Sequence, residues 1–260
     1  MLMKTNKWII ILLLFFCQCT KDKMSEEESE LRLSISPDAC FPEVSDKYIY
    51  PVVPGMEEWK WDYNIEDPYE KFCQLPDEVL RSISTPGLID ALIHAPLFTG
   101  FYLLSSNASA LKWHGHYTQF NSAKELFRRN DAGDALVAYY KLTCFDCVNP
   151  PVGVYGDYER MMGLEILFTK QEILDQIGHE KKKEAVASLL AKCEQCPGYS
   201  NSIFPMVYLM LADKYDPIVA YSVEHAEEFQ CIVDGYFYSY VDQADLMISF
   251  AKSFINDKNE

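Results

Sequence analysis

Two Cys-x-x-Cys pairs, Cys144/Cys147 and Cys193/Cys196, are the residues whose type and spacing come nearest to chemistry. Thiolates ligate zinc, exchange with other thiols, or close disulfides. Forty-five residues lie between the pairs, against roughly 15–20 in a compact four-cysteine zinc module, so a joint site requires the fold to bring distant loops together. Each pair follows an amphipathic helix, over 131–143 and 179–193, whereas a thioredoxin-like dithiol sits between a strand and a helix start. If the two helices lie side by side and run the same way, both pairs reach one edge. Disulfide bonding is then the favoured outcome, provided the Cα atoms come within about 7 Å. Small buried thiols and a zinc cluster remain as alternatives. No cofactor is expected, with zinc as the exception.

The other candidates carry weaker signals. Trp59, Trp61 and Tyr63 alternate with Lys60 and Asp62, which places three aromatics on one face of an extended segment. Such a face either docks on the body or stacks on a sugar. His114 and His116 are two residues apart, a spacing that sends them to different sides of a helix, and a structural or surface role is expected. His94 lies in an apolar stretch as a core histidine, and His179 and His225 flank charged helices as solvated ones. Tyr236-Phe237-Tyr238-Ser239-Tyr240 reads as a helix junction or a partner groove. No nucleophile elbow, phosphate loop, dinucleotide fingerprint, EF-hand or zincin helix occurs, so catalytic residues stay unknown.

The amino-terminal segment speaks of location. Lys4 and Lys7 precede nine apolar residues, Trp8–Phe16, too few for a spanning helix of about 20 and right for a signal peptide. Cys17 and Cys19 follow, then the acidic run 25–30. The expectation is a bacterial lipoprotein: residues 1–18 a signal peptide, Cys19 (failing that Cys17) lipidated, and 19–30 an acidic tether to the cell-envelope membrane. The net charge is −16, which excludes nucleic acid as a partner and repels anionic lipid headgroups.

Behind the tether, residues 31–75 hold five prolines without helical periodicity, an extended arm expected to pack on the body. From Pro76 to residue 260 the pattern becomes short amphipathic helices: helix starts at Pro76–Leu80 and Thr85–Leu88, then 97–105, 107–119, 121–129, 131–143, 157–167, 169–177, 179–193, 201–214, 217–233 and 240–256. The fold class is all-α, an irregular multi-helix array, with HEAT-like helix pairs as one form of it. More than about 40% helix is expected, above the roughly 30–35% of ordinary domains. No repeat period aligns residue by residue.

The start Gln74-Leu75-Pro76-Asp77-Glu78-Val79-Leu80-Arg81-Ser82-Ile83-Ser84-Thr85-Pro86-Gly87-Leu88, with Ala95-Pro96-Leu97-Phe98 and the turn Arg128-Arg129-Asn130-Asp131-Ala132-Gly133, resembles an uncharacterised group of exported lipoproteins from anaerobic gut bacteria. The resemblance covers the first half of the mature chain and implies export and a helical body, with no activity to carry over. The functional expectation is a non-catalytic module that binds a protein or a glycan. The alternative is an envelope hydrolase acting on glycans through a carboxylate site.

Overall fold

Ser84 opens a helix with its own side chain, its hydroxyl accepting the N–H of Gly87 at 3.1 Å, while Pro86 fills the first turn, where no N–H is needed. Local signals of this kind recur through the computed structural model, which describes residues 41–59, 68–98, 116–144, 155–195, 202–233 and 241–257. Twelve helices occupy 67% of those residues, and no strand occurs among them. They are α1 (Pro68–Phe72), α2 (Asp77–Ser82), α3 (Thr85–Ile93), α4 (Asn121–Leu126), α5 (Ala132–Leu142), α6 (Tyr155–Leu167), α7 (Gln171–Leu174), α8 (His179–Gln195), α9 (Ile203–Ala212), α10 (Asp216–Glu224), α11 (Ala226–Val233) and α12 (Val241–Asn256).

Helix starts reveal an order that residue identities hide. Helices α3, α5, α8 and α11 begin at residues 85, 132, 179 and 226, a constant step of 47, and the first three each follow a shorter helix, α2, α4 or α7. The first three lie side by side and parallel. Thr85 donates to Asp131 at 2.8 Å near the starts of α3 and α5, and Tyr139 donates to Asp90 at 2.9 Å further along. Gly133 N–H donates to Gln176 at 3.2 Å near the starts of α5 and α8, and Lys192 lies over the Tyr140 ring toward their ends. Helix α6 returns against α5, with Thr143 near Met161 and Tyr140 on Glu165. Helix α9 returns against α8, where Lys182 at the start of one meets Asp213 at the end of the other, 3.6 Å apart.

At α11 the packing changes. Helix α11 rests on α9 and α10, and α12 takes the open flank of α8. Lys252 pairs with Glu194 at 2.7 Å, and Lys183 donates to the Asp257 carbonyl. Met247, Ala251 and Phe254, at helical spacing, form the buried stripe of α12. The core runs through the array, from Leu88, Ile89 and Leu92 past Tyr117, Phe120 and Tyr140 to Phe168 and Phe254, all fully buried.

Residues 41–59 carry neither helix nor strand and lie on α3. Phe41 and Tyr50 are buried, the Tyr50 hydroxyl donates to Ala91 O at 3.1 Å, and the Asp46 carboxylate accepts both the N–H and the hydroxyl of Ser84. Burial pushes the Asp46 pKa up, but the Ser84 hydrogen bonds outweigh it and the net shift is down. Two details depart from the sequence reading. The stretch assigned to the arm contains α1, and the helix expected over 217–233 is two helices, α10 and α11. The chain turns at His225 (φ −121°, ψ 45°), whose ring stacks on Tyr221 at 4.5 Å, with no glycine or proline to mark the break. Most of 97–119 lies outside the described residues.

Candidate functional site

Glu165 sits alone among apolar residues, Met161-Met162-Gly163-Leu164 before it and Ile166-Leu167-Phe168 after it. A carboxylate in such a run must face the interior, and it needs partners there. Helix α5 supplies Tyr140 and the start of α9 supplies Ser202; both hydroxyls donate to Glu165 Oε1, at 2.5 and 2.7 Å. Helix α8 adds Lys192, whose ammonium stands 4.4 Å from the Tyr140 ring centre. Four helices therefore meet at one buried polar centre.

Burial is the largest influence on its titratable neighbours. Burial, followed by the Glu165 charge, raises the Tyr140 pKa well above the ordinary phenol value. Burial lowers that of Lys192, while Glu165 and Cys144 hold it up. Burial and then Glu165 and Glu194 push the Cys193 thiol upward, so it stays protonated near neutral pH and is a poor nucleophile and a poor zinc ligand.

This centre is where the structure brings together part of the cysteine set. Parallel α5 and α8 carry Cys144 and Cys193 to the same end of the array, as the direction argument required. Cys144 is exposed and Cys193 half-buried, and no disulfide joins the two. Cys147 and Cys196 lie outside the described residues, as do Cys17 and Cys19. Among the described residues no group of three His, Cys, Asp or Glu is placed to hold a metal ion. Trp59 packs its ring on Phe72 with centroids 4.6 Å apart and is half-buried, while Trp61 and Tyr63 lie outside the described residues.

Of the histidines, His116 takes the structural role expected of it and His179 departs from the solvated one. His116 is buried among Tyr69, Phe98 and Phe120, and its Nε2 donates to the Phe98 carbonyl at 2.9 Å. Burial pulls its pKa down to about 4, against the smaller upward pull of that hydrogen bond. His179 is not merely solvated: its Nδ1 lies 2.5 Å from Asp213 Oδ2, and Lys182 approaches the other oxygen of the same carboxylate.

Asp213 also borders an open cavity of about 750 Å³, lined by Asp213–Pro217 together with Ser253, Asn256 and Asp257. The turn that shapes it closes α9 with paired hydrogen bonds, Tyr215 N–H to Met210 O and Lys214 N–H to Leu211 O, and puts Lys214 in the left-handed region at φ 56°. Glycine is the usual residue there; the break expected between 214 and 217 is present, but its left-handed lysine carries no sequence mark. The buried centre was missed in the sequence, where the lone glutamate in an apolar run is the signal that could have found it. Among the described residues no helix is long and apolar enough to cross a membrane. No family model, curated protein or solved structure matches the chain.

Proposed function

We propose that the chain is a non-catalytic, lipid-anchored module of the bacterial cell envelope that binds a protein or a glycan. One observation carries the reading: the disposition of the polar side chains. Glu165, Tyr140, Ser202 and Asp90, all within the body, are bonded to groups on neighbouring helices, as structural groups are. What faces solvent is an open cavity and a set of exposed apolar side chains. Stacked helix pairs offer extended surfaces of this kind to large ligands.

Trp59 rests on Phe72, and the Asp213 carboxylate of the cavity is shared by Lys182 and His179. Neither arrangement supports an acid pair working beside a sugar-stacking ring. Anchoring through Cys19 predicts a mature chain that lacks residues 1–18 and carries a diacylglycerol-sized mass on its first residue; an intact Met1 contradicts it. Binding is tested by pull-down from envelope extracts beside a glycan array, both using the mature chain. Specific capture in either supports the module, and turnover of an envelope glycan without stoichiometric capture overturns it.

A further inference from the structure

Helix α10 is amphipathic in the wrong direction for a core helix. It buries only Ile218 and turns Asp216, Val219, Ala220 and Val223, at positions i, i+3, i+4 and i+7, to solvent. Val219 is 38% and Val223 78% exposed. Acidic groups stand at both ends of this stripe. Asp216 and Asp257 border the adjoining cavity, and Glu224, Glu227 and Glu228 follow Val223, all exposed. Lys214 is the single basic residue lining the cavity against three carboxylates, Asp213, Asp216 and Asp257.

We infer that the outer face of α10 and the adjoining cavity dock a cationic amphipathic segment of a partner protein. Its apolar residues would lie on Val219 and Val223, and a lysine or arginine would enter the cavity between Asp216 and Asp257. This rests on the reading of the chain as a binding module and names the partner class. Charge selects the occupant. An anionic membrane is repelled by the acidic rim, and a second copy of a chain of net charge −16 brings like charge to the same stripe. A cavity of this size admits a long basic side chain.

The test uses the full mature chain and a labelled amphipathic Leu/Lys peptide about four helical turns long, followed by fluorescence anisotropy. Val223→Asp is expected to weaken binding at least about tenfold with the melting temperature unchanged. Asp216→Asn and Asp257→Asn lower affinity less and flatten its salt dependence. Equal binding by a scrambled peptide of the same composition, or by Val223→Asp, overturns the inference. So does a dimer in sedimentation that Val223→Asp dissociates. The extract pull-down separates the two levels: a partner retained equally by wild type and Val223→Asp leaves the module standing and removes this surface, whereas no capture in any assay removes both.

Discussion

The α3/α5 and α5/α8 junctions join parallel helices at the same 47-residue step, yet they are held by different chemistry. At the first, the side-chain pairs Thr85–Asp131 and Tyr139–Asp90 are accompanied by side chains that reach across to backbone groups. Asn121 accepts from Leu75 N–H and donates to Leu75 O, at 2.9 and 2.8 Å, and Arg129 donates to the carbonyls of Ile83 and Leu80. At the second, Gly133 lets the chain before α8 pass so close that a Cβ would lie 2.8 Å from Ile177 Cγ1 and 3.1 Å from Ile173 O. Gly133 N–H also donates to Gln176 at 3.2 Å, and beyond that the link depends on the buried Glu165 centre and on surface charge. The first junction has several backbone partners that fix its register, whereas the second has one and leans on side-chain partners that single substitutions can remove.

The largest expected effect tests that contrast directly. Glu165→Leu strands the Tyr140 and Ser202 hydroxyls in the core and should cost about 3–5 kcal/mol in denaturant unfolding. A loss under about 1 kcal/mol would mean that the centre is not what holds α5, α6, α8 and α9 together.

Acid should strike the other junction. His116, with its folded pKa lowered to about 4 from 6.5, contributes its full stability above pH 6.5 and loses it as pH falls toward 4, because the unfolded chain takes up the proton first. The loss is on the order of 3 kcal/mol and should vanish in His116→Phe. A wild-type melting temperature flat across that window contradicts the assignment.

The smallest effect belongs to the surface of the second junction. Lys141 and Glu184 pair at 2.6 Å in an exposed setting, so Lys141→Ala should cost less than about 1 kcal/mol, and added salt should erase the difference. A larger, salt-resistant cost would make the two junctions more alike than their partners suggest.

How much of this could be read from the chain varied by element. Helices α5, α8 and α12 were legible because each carries an apolar stripe bounded by turn residues. The split at His225 was not, because stacking on Tyr221 replaces the usual breaker. The repeat step lives in where helices begin and not in residue identity; the residues at equivalent places, Asp90 on α3, Val137 on α5 and Glu184 on α8, share no type. At the candidate site, Glu165 was not singled out, although its apolar neighbours mark it, and Tyr140 and Ser202 lie 25 and 37 residues away, so only folding joins them.

The two flanks of the helix line are sheathed by the chain itself, residues 41–59 lying along α3 and α12 along α8. Open-ended stacks of helices concatenate, each terminus offering the next copy a ready surface. Here that surface is already occupied, so lengthening has to come from the middle. A further 47-residue unit intercalated between α5 and α8 would extend the line and leave both terminal coverings in place.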